Sequence, residues 1–229
     1  RGVVGDTIRV VFLNRTTFRA SMHPHGVFYL KDSEGAPYAD GSDAAAQLDD
    51  GVLPGDRHAY TWPVPERAGP SHDEGSTAFW MYHSHTGEVG DVNAGLVGPM
   101  IVTARGMAHP DATPTDVDRE LVVGFLEFDE TNSTLWEENL RTYGKLPAGY
   151  KPDIVFGERQ VGPESQYGFK ETLNGFLYGN TTGLTMREGD RVRWYLMAST
   201  NFEIHAPHWH GNTVQAMHMT TDVVSLLPM

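Results

Sequence analysis

The sequence predicts an all-β protein made of two β-sandwich domains, the second one truncated at its C-terminal end. Three observations carry this expectation. Short runs of β-branched and aromatic residues alternate with turn clusters along most of the chain. Glycine and proline are abundant, 25 and 14 in 229 residues, as short strands joined by many turns require. The chain also repeats itself.

The strands are expected, in order, at TIRVVFLN (7–14), HAYTWPVP (58–65), STAFWMYHSH (76–85), GPMIVTA (98–104), ELVVGFLEF (120–128) and RVRWYLM (191–197). Turn clusters such as KDSEGAPYADGSD (31–43) and PGD (54–56) separate them. Only STLWEENLRTYG (133–144) has the composition of a short helix. The polar, proline-containing stretch 104–120 reads as a linker, which gives domains at 1–115 and 116–229. The repeat joins Gly5–Gly26 to Gly189–Gly211. Both copies open on Gly-Asp and run into an apolar strand. Phe18 answers to Phe202, and His23 and His25 answer to His208 and His210, with one inserted residue between.

Bulk composition excludes several classes. An apolar fraction of 39% with 10% aromatics suits a folded chain. A formal charge of -13 argues against nucleic-acid or anionic-membrane partners. With no cysteine there is neither a disulfide framework nor a thiolate ligand in these residues. No apolar run is long enough to span a bilayer, and no leader precedes the first strand. The first residues already read as strand, so the missing leader is no evidence of a cytosolic life, and a secreted or periplasmic protein is the expectation.

The histidines point to chemistry. Eleven are present, and six form three His-x-His pairs: His23/His25, His83/His85 and His208/His210. Chance placement would give roughly 0.5 such pairs. Residues i and i+2 of a strand face the same side, so each pair presents two imidazoles together. Imidazole is the common side-chain ligand for copper and zinc. A lone pair would be an ordinary strand face, but three pairs, two of them at matched repeat positions, predict a metal cluster. Six imidazoles exceed what one catalytic zinc needs. His205 adds a seventh beside the third pair. The remaining singles, His58, His72, His109 and His218, sit in polar or turn contexts and are expected at the surface.

HPHG (23–26), YHSH (82–85) and HAPHWHG (205–211), framed by MYHSHTGEVGDVNAGLVGPMIV and LNGFLYGNTTGLTMREGDRVRWYLM, resemble the multicopper oxidases, in particular the ceruloplasmin-like branch and the two-domain laccases. The resemblance covers nearly the whole chain. It implies cupredoxin-like Greek-key sandwiches and a trinuclear copper cluster held by four His-x-His pairs from two domains. By position, His23 and His208 are similar to the type-2 ligands, and His25, His83, His85 and His210 to the type-3 ligands. His205 stands where the family places a type-1 ligand. About four coppers per complete subunit are implied. The family's type-1 site also uses a cysteine, and Ser84 occupies the middle of the first-domain motif. Domain one is therefore expected to lack a blue copper, and the type-1 domain is the second. The implied reaction couples one-electron oxidation of phenols or aromatic amines to reduction of O2 to water, as in laccases. A ferrous-iron or cuprous oxidase of the ceruloplasmin-like type is the alternative, and a non-enzymatic copper-binding or scaffold module is a reading of another class. Glu88 and Asp91, just after the second pair, are candidate proton suppliers. Likeness to the two-domain laccases implies a homotrimer with clusters at subunit interfaces.

Overall fold

The computed structural model describes residues 1–72, 75–144, 168–198 and 203–228. Its strands are β1 (Gly2–Val3), β2 (Thr7–Leu13), β3 (His23–Pro24), β4 (Arg57–Pro63), β5 (Thr77–His83), β6 (Val97–Thr103), β7 (Arg119–Asp129), β8 (Phe169–Leu173), β9 (Val192–Ala198), β10 (Val214–Ala216) and β11 (Met219–Thr221). Two short helices accompany them, α1 (Glu88–Asn93) and α2 (Trp136–Tyr143). The all-β class is as expected. All six anticipated strands are present, and α2 falls inside the segment with helical composition. The short strands β3, β8, β10 and β11 and the helix α1 were not anticipated.

The sequence repeat has a structural cause. Val3 N–H donates to Asp6 Oδ2 at 3.1 Å, and Asp6 N–H returns to Val3 O at 2.9 Å. In the second copy Arg187 N–H donates to Asp190 Oδ2 at 2.8 Å, and Asp190 N–H returns to Arg187 O at 3.1 Å. Gly5 and Gly189 take left-handed φ of +94° and +90°, a region where a Cβ is strained. The same Gly-Asp turn thus launches β2 and β9. Phe202, the counterpart of Phe18, lies outside the described residues.

The chain divides into two compact units. The first comprises Arg1–Asp91, Leu96–Val122 and Leu184–Tyr195; the second comprises Val92–Gly95, Val123–Gly183 and Leu196–Met229. In the first unit, one sheet has the order β1–β6–β5–β3 and another pairs β2 with β4. Val4, Val27, Tyr60, Trp62, Val64, Met100 and Val102 form its core. β2 alternates, with Ile8, Val10 and Phe12 packed on that core and Thr7, Arg9, Val11 and Leu13 exposed. Trp62 satisfies its indole N–H on Ser33 O at 2.9 Å. The pairing of β1 with β6 is parallel. The turn at Gly5 sends β2 into the other sheet, so β1 and β6 need no hairpin between them.

Two ladders position the functional residues of this unit. β5 pairs antiparallel with β6 from Thr77↔Thr103 to His83↔Val97. β3 pairs antiparallel with β5 and sets His23 opposite His83. In the second unit β7 and β8 are antiparallel, with Glu127 opposite Glu171. There the segment carrying the third histidine pair runs antiparallel to 222–226, through bridges His205↔Leu226 and His208↔Val223.

Candidate metal centre

Both histidine pairs of the first unit converge. His23 and His25 leave β3 side by side, and His83 ends β5 with His85 two residues on. The register His23↔His83 brings the pairs together. Ring centroids lie 5.6 Å apart for His23–His83, 5.1 Å for His23–His85 and 5.2 Å for His25–His83. His25 Nε2 stands 3.1 Å from His83 Nε2. A glycine makes room for this. Gly26 has φ +80°, and a Cβ there would come within 2.2 Å of the Trp80 indole, which is itself anchored on Ala68 O at 2.7 Å.

The hydrogen bonds on the far sides of the rings decide what the near sides can do. His23 Nδ1 donates to Glu34 O at 2.7 Å, and His83 Nδ1 donates to Ser84 O at 3.0 Å. A carbonyl only accepts, so both protons sit on Nδ1 and both Nε2 atoms keep a lone pair. His25 then donates its Nε2 proton to His83, and metal binding through that atom requires the proton to leave. Two imidazoles anchored in this way, with those of His25 and His85 beside them, are a donor set suited to copper. Among the described residues no three His, Asp or Glu side chains already surround one ion position.

Electrostatics favour the ligand state. Burial, together with repulsion from neighbouring imidazoles, holds His23 and His25 below the ordinary histidine range. Protons therefore compete with metal at these two rings only below the usual value of about 6.5. Copper retention is expected to persist as pH falls through about 6.5 and to fail at more acid pH. Measuring copper left on the protein after desalting across that range checks this, and half-loss at or above the ordinary histidine value contradicts it.

The two candidate proton suppliers are placed differently. Glu88 is half-exposed, with Oε2 3.7 Å from His85 Nε2 and Oε1 4.0 Å from His83 Nε2. Asp91 is 2% exposed, and its Oδ2 accepts Ser84 Oγ–H at 2.6 Å and Gly87 N–H at 3.1 Å.

In the second unit, His208 and His210 stand with ring centroids 5.9 Å apart, and His208 Nε2 lies 3.5 Å from Asp222 Oδ2. The His205 ring packs instead beside Phe125, with Nε2 3.2 Å from Glu127 Oε1. Glu127 is 2% exposed. Burial, followed by the charges of Glu203 and Glu171 and against the pull of His205, pushes its carboxyl above the ordinary range. Sequence reasoning missed Glu127, yet a signal existed. Leu121, Val123 and Glu127 share the inward parity of β7, and a carboxylate at such a position is an anomaly in a strand.

Residues 2–106 match the family model described as multicopper oxidase. Ferroxidase HEPHL1 of Homo sapiens is 38% identical over 231 residues, covering 100% of this chain and 19% of that protein. Ceruloplasmin of Homo sapiens is 34% identical, covering 98% of this chain and 21% of that protein. The chain thus spans about a fifth of the length of these curated relatives. The blue copper oxidase of Nitrosomonas europaea superposes with a TM-score of 0.58 at 22% identity, covering 99% of this chain and 61% of that one, and shares the fold. With a cupredoxin-like fold and both first-unit histidine pairs gathered within the matched segment, the chain belongs to the multicopper oxidase family.

Proposed function

We propose that this chain is part of a copper-dependent ferroxidase, which oxidises ferrous iron and passes the electrons to O2. The observation that carries the choice of iron is the carboxylate group around His205: Glu127 in contact with it, Glu171 opposite Glu127 across the β7–β8 ladder, and Glu203 two residues before it. Phenols and aromatic amines are recognised by apolar and aromatic walls, whereas a ferrous ion needs anionic oxygen donors. The likeness to a named ferroxidase points the same way, so the ceruloplasmin-like alternative replaces the laccase reading.

In this reading His23 and His208 hold type-2 copper, His25, His83, His85 and His210 hold the type-3 pair, and His205 is a type-1 ligand. Bound copper would supply reversible one-electron chemistry, relaying to O2 four electrons drawn one at a time from four ferrous ions. The protein's own residues do the rest. Glu34 O and Ser84 O fix the tautomers of His23 and His83. Glu88, beside His83 and His85 and open to solvent, brings protons to the oxygen being reduced. Glu171 and Glu203, both exposed, draw the iron in, and Glu127 ties that patch to His205. The first unit supplies one type-2 and three type-3 ligands, which agrees with a half-site needing a complementary cupredoxin unit. Relatives some five times longer than this chain favour a complement in one long polypeptide over a homotrimer. We further infer a secreted or periplasmic location.

The test is steady-state turnover of the copper-loaded full-length protein with ferrous iron and with a phenol under the same oxygen supply. A kcat/KM for iron at least about tenfold above that for the phenol is expected, a transition-state difference of roughly 1.4 kcal/mol. The reverse order restores the laccase reading. A protein holding little or no copper, with no oxygen uptake on either substrate, identifies a scaffold.

A further inference from the structure

Three buried polar side chains beside the imidazoles have no part in the chemistry just described. Ser21, Ser84 and Asp91 are exposed by 3%, 1% and 2%. Ser84 stands between His83 and His85, and Ser21 lies two residues before His23. Their hydrogen bonds are reciprocal. Ser84 Oγ accepts Ser21 N–H at 3.1 Å, and Ser21 Oγ accepts His85 N–H at 3.0 Å. Each serine then gives its own proton away, Ser84 to Asp91 Oδ2 at 2.6 Å and Ser21 to Gly35 O at 2.6 Å. Gly35 directly follows Glu34, whose carbonyl holds His23 Nδ1. Asp91 is itself fixed by Gly87 N–H on its carboxylate and by its own N–H on Gly87 O at 2.8 Å.

Two points give this circuit a purpose. Buried hydroxyls and a buried carboxylate cost several kcal/mol of desolvation unless satisfied, so an apolar filler would serve packing better. The β3–β5 ladder that otherwise joins the two histidine pairs has only two residue pairs, His23↔His83 and Pro24↔Tyr82, extended by one backbone bond from His25 N–H to Met81 O at 2.9 Å. So short a ladder does little on its own to resist slip or splay. The serines bridge the same two segments just beyond its His23↔His83 end.

We propose that Asp91, acting through Ser84 and Ser21, is a positioning residue that sets the spacing of the His23/His25 and His83/His85 pairs, so that two copper ions are held close enough to couple magnetically. This rests on the multicopper reading above. Asp91 serves as an acceptor, taking Ser84 O–H and Gly87 N–H on one oxygen. An amide oxygen at the same place can accept both, whereas a methyl group accepts neither.

The experiment compares the full-length protein with its Asp91→Asn, Asp91→Ala and Ser21→Ala variants after copper loading. The readouts are copper per chain, the fraction of copper silent in electron paramagnetic resonance, the pH profile of turnover and the thermal midpoint. Asp91→Asn is expected to keep its silent fraction within about twofold of the parent, with an unshifted pH profile. The two alanine variants are expected to retain copper about 10- to 100-fold more weakly and to lose the silent fraction. Equal loss in Asp91→Asn and Asp91→Ala overturns the proposal in favour of a proton-supplying carboxyl, and full retention in the alanine variants overturns it outright. Should the alanine variants fail to fold, Asp91→Asn decides alone: a kept silent fraction supports the positioning role and a lost one overturns it. A parent protein that takes up no copper overturns the functional reading as well. A copper-binding parent whose variants disobey overturns only this inference.

Discussion

Replacing His83 by alanine in the full-length protein is expected to abolish oxygen reduction while leaving the blue absorption of type-1 copper intact. His83 is 4% exposed and lies within ring-contact distance of His23, His25 and His85. Its Nδ1 is spent on Ser84 O, so its Nε2 lone pair is the part it offers to a metal. Alanine removes that donor. Losing an outer-sphere partner of a metal ligand costs about 10- to 100-fold in affinity or activity, and losing the ligand itself costs more. An oxygen electrode reads the first effect and visible absorption the second. Unchanged oxygen uptake in His83→Ala would remove this residue from the cluster.

That expectation was legible in the sequence because His-x-His on a strand is a period-two statement. Any chain that puts His23/His25 and His83/His85 on extended backbone presents each pair on one face. What the sequence could not supply was the register that sets His23 opposite His83, since pairing partners 60 residues apart leave no local trace. The same limit explains the missed elements. β3, β10 and β11 are two or three residues long, too short for any periodicity to show. α1 contains a glycine and two valines and is poor in strong helix formers. The long strands were legible because TIRVVFL and ELVVGFLEF carry enough β-branched and aromatic residues to outweigh their flanks. Ser21 and Ser84 were invisible as functional residues, because a serine beside a histidine has no signature until its hydrogen bonds are seen.

Glu127→Gln is expected to raise the KM for ferrous iron by about tenfold or more while leaving phenol turnover within about twofold. The substitution keeps shape and an acceptor oxygen and removes only the charge. Glu127 is the buried member of the carboxylate group, in contact with His205 Nε2 at 3.2 Å, while Glu171 and Glu203 are exposed. In the proposed reading, an arriving ferrous ion would meet the exposed pair first and be held against His205 by the buried one. The charge of Glu127 also depends on pH. Burial and the neighbouring acids raise its carboxyl above the ordinary range, so its anion is present above that raised value and lost as pH falls through it. In the parent, iron affinity should therefore weaken at a higher pH than an ordinary carboxylate of about 4.3 would dictate. In Glu127→Gln that limb of the profile should vanish, because no proton remains to be taken up there. Stopped-flow iron oxidation over the acid range measures both effects. If parent and variant share the same KM and the same acid limb, the carboxylates near His205 are solvated surface and the case for iron over phenol loses its structural support.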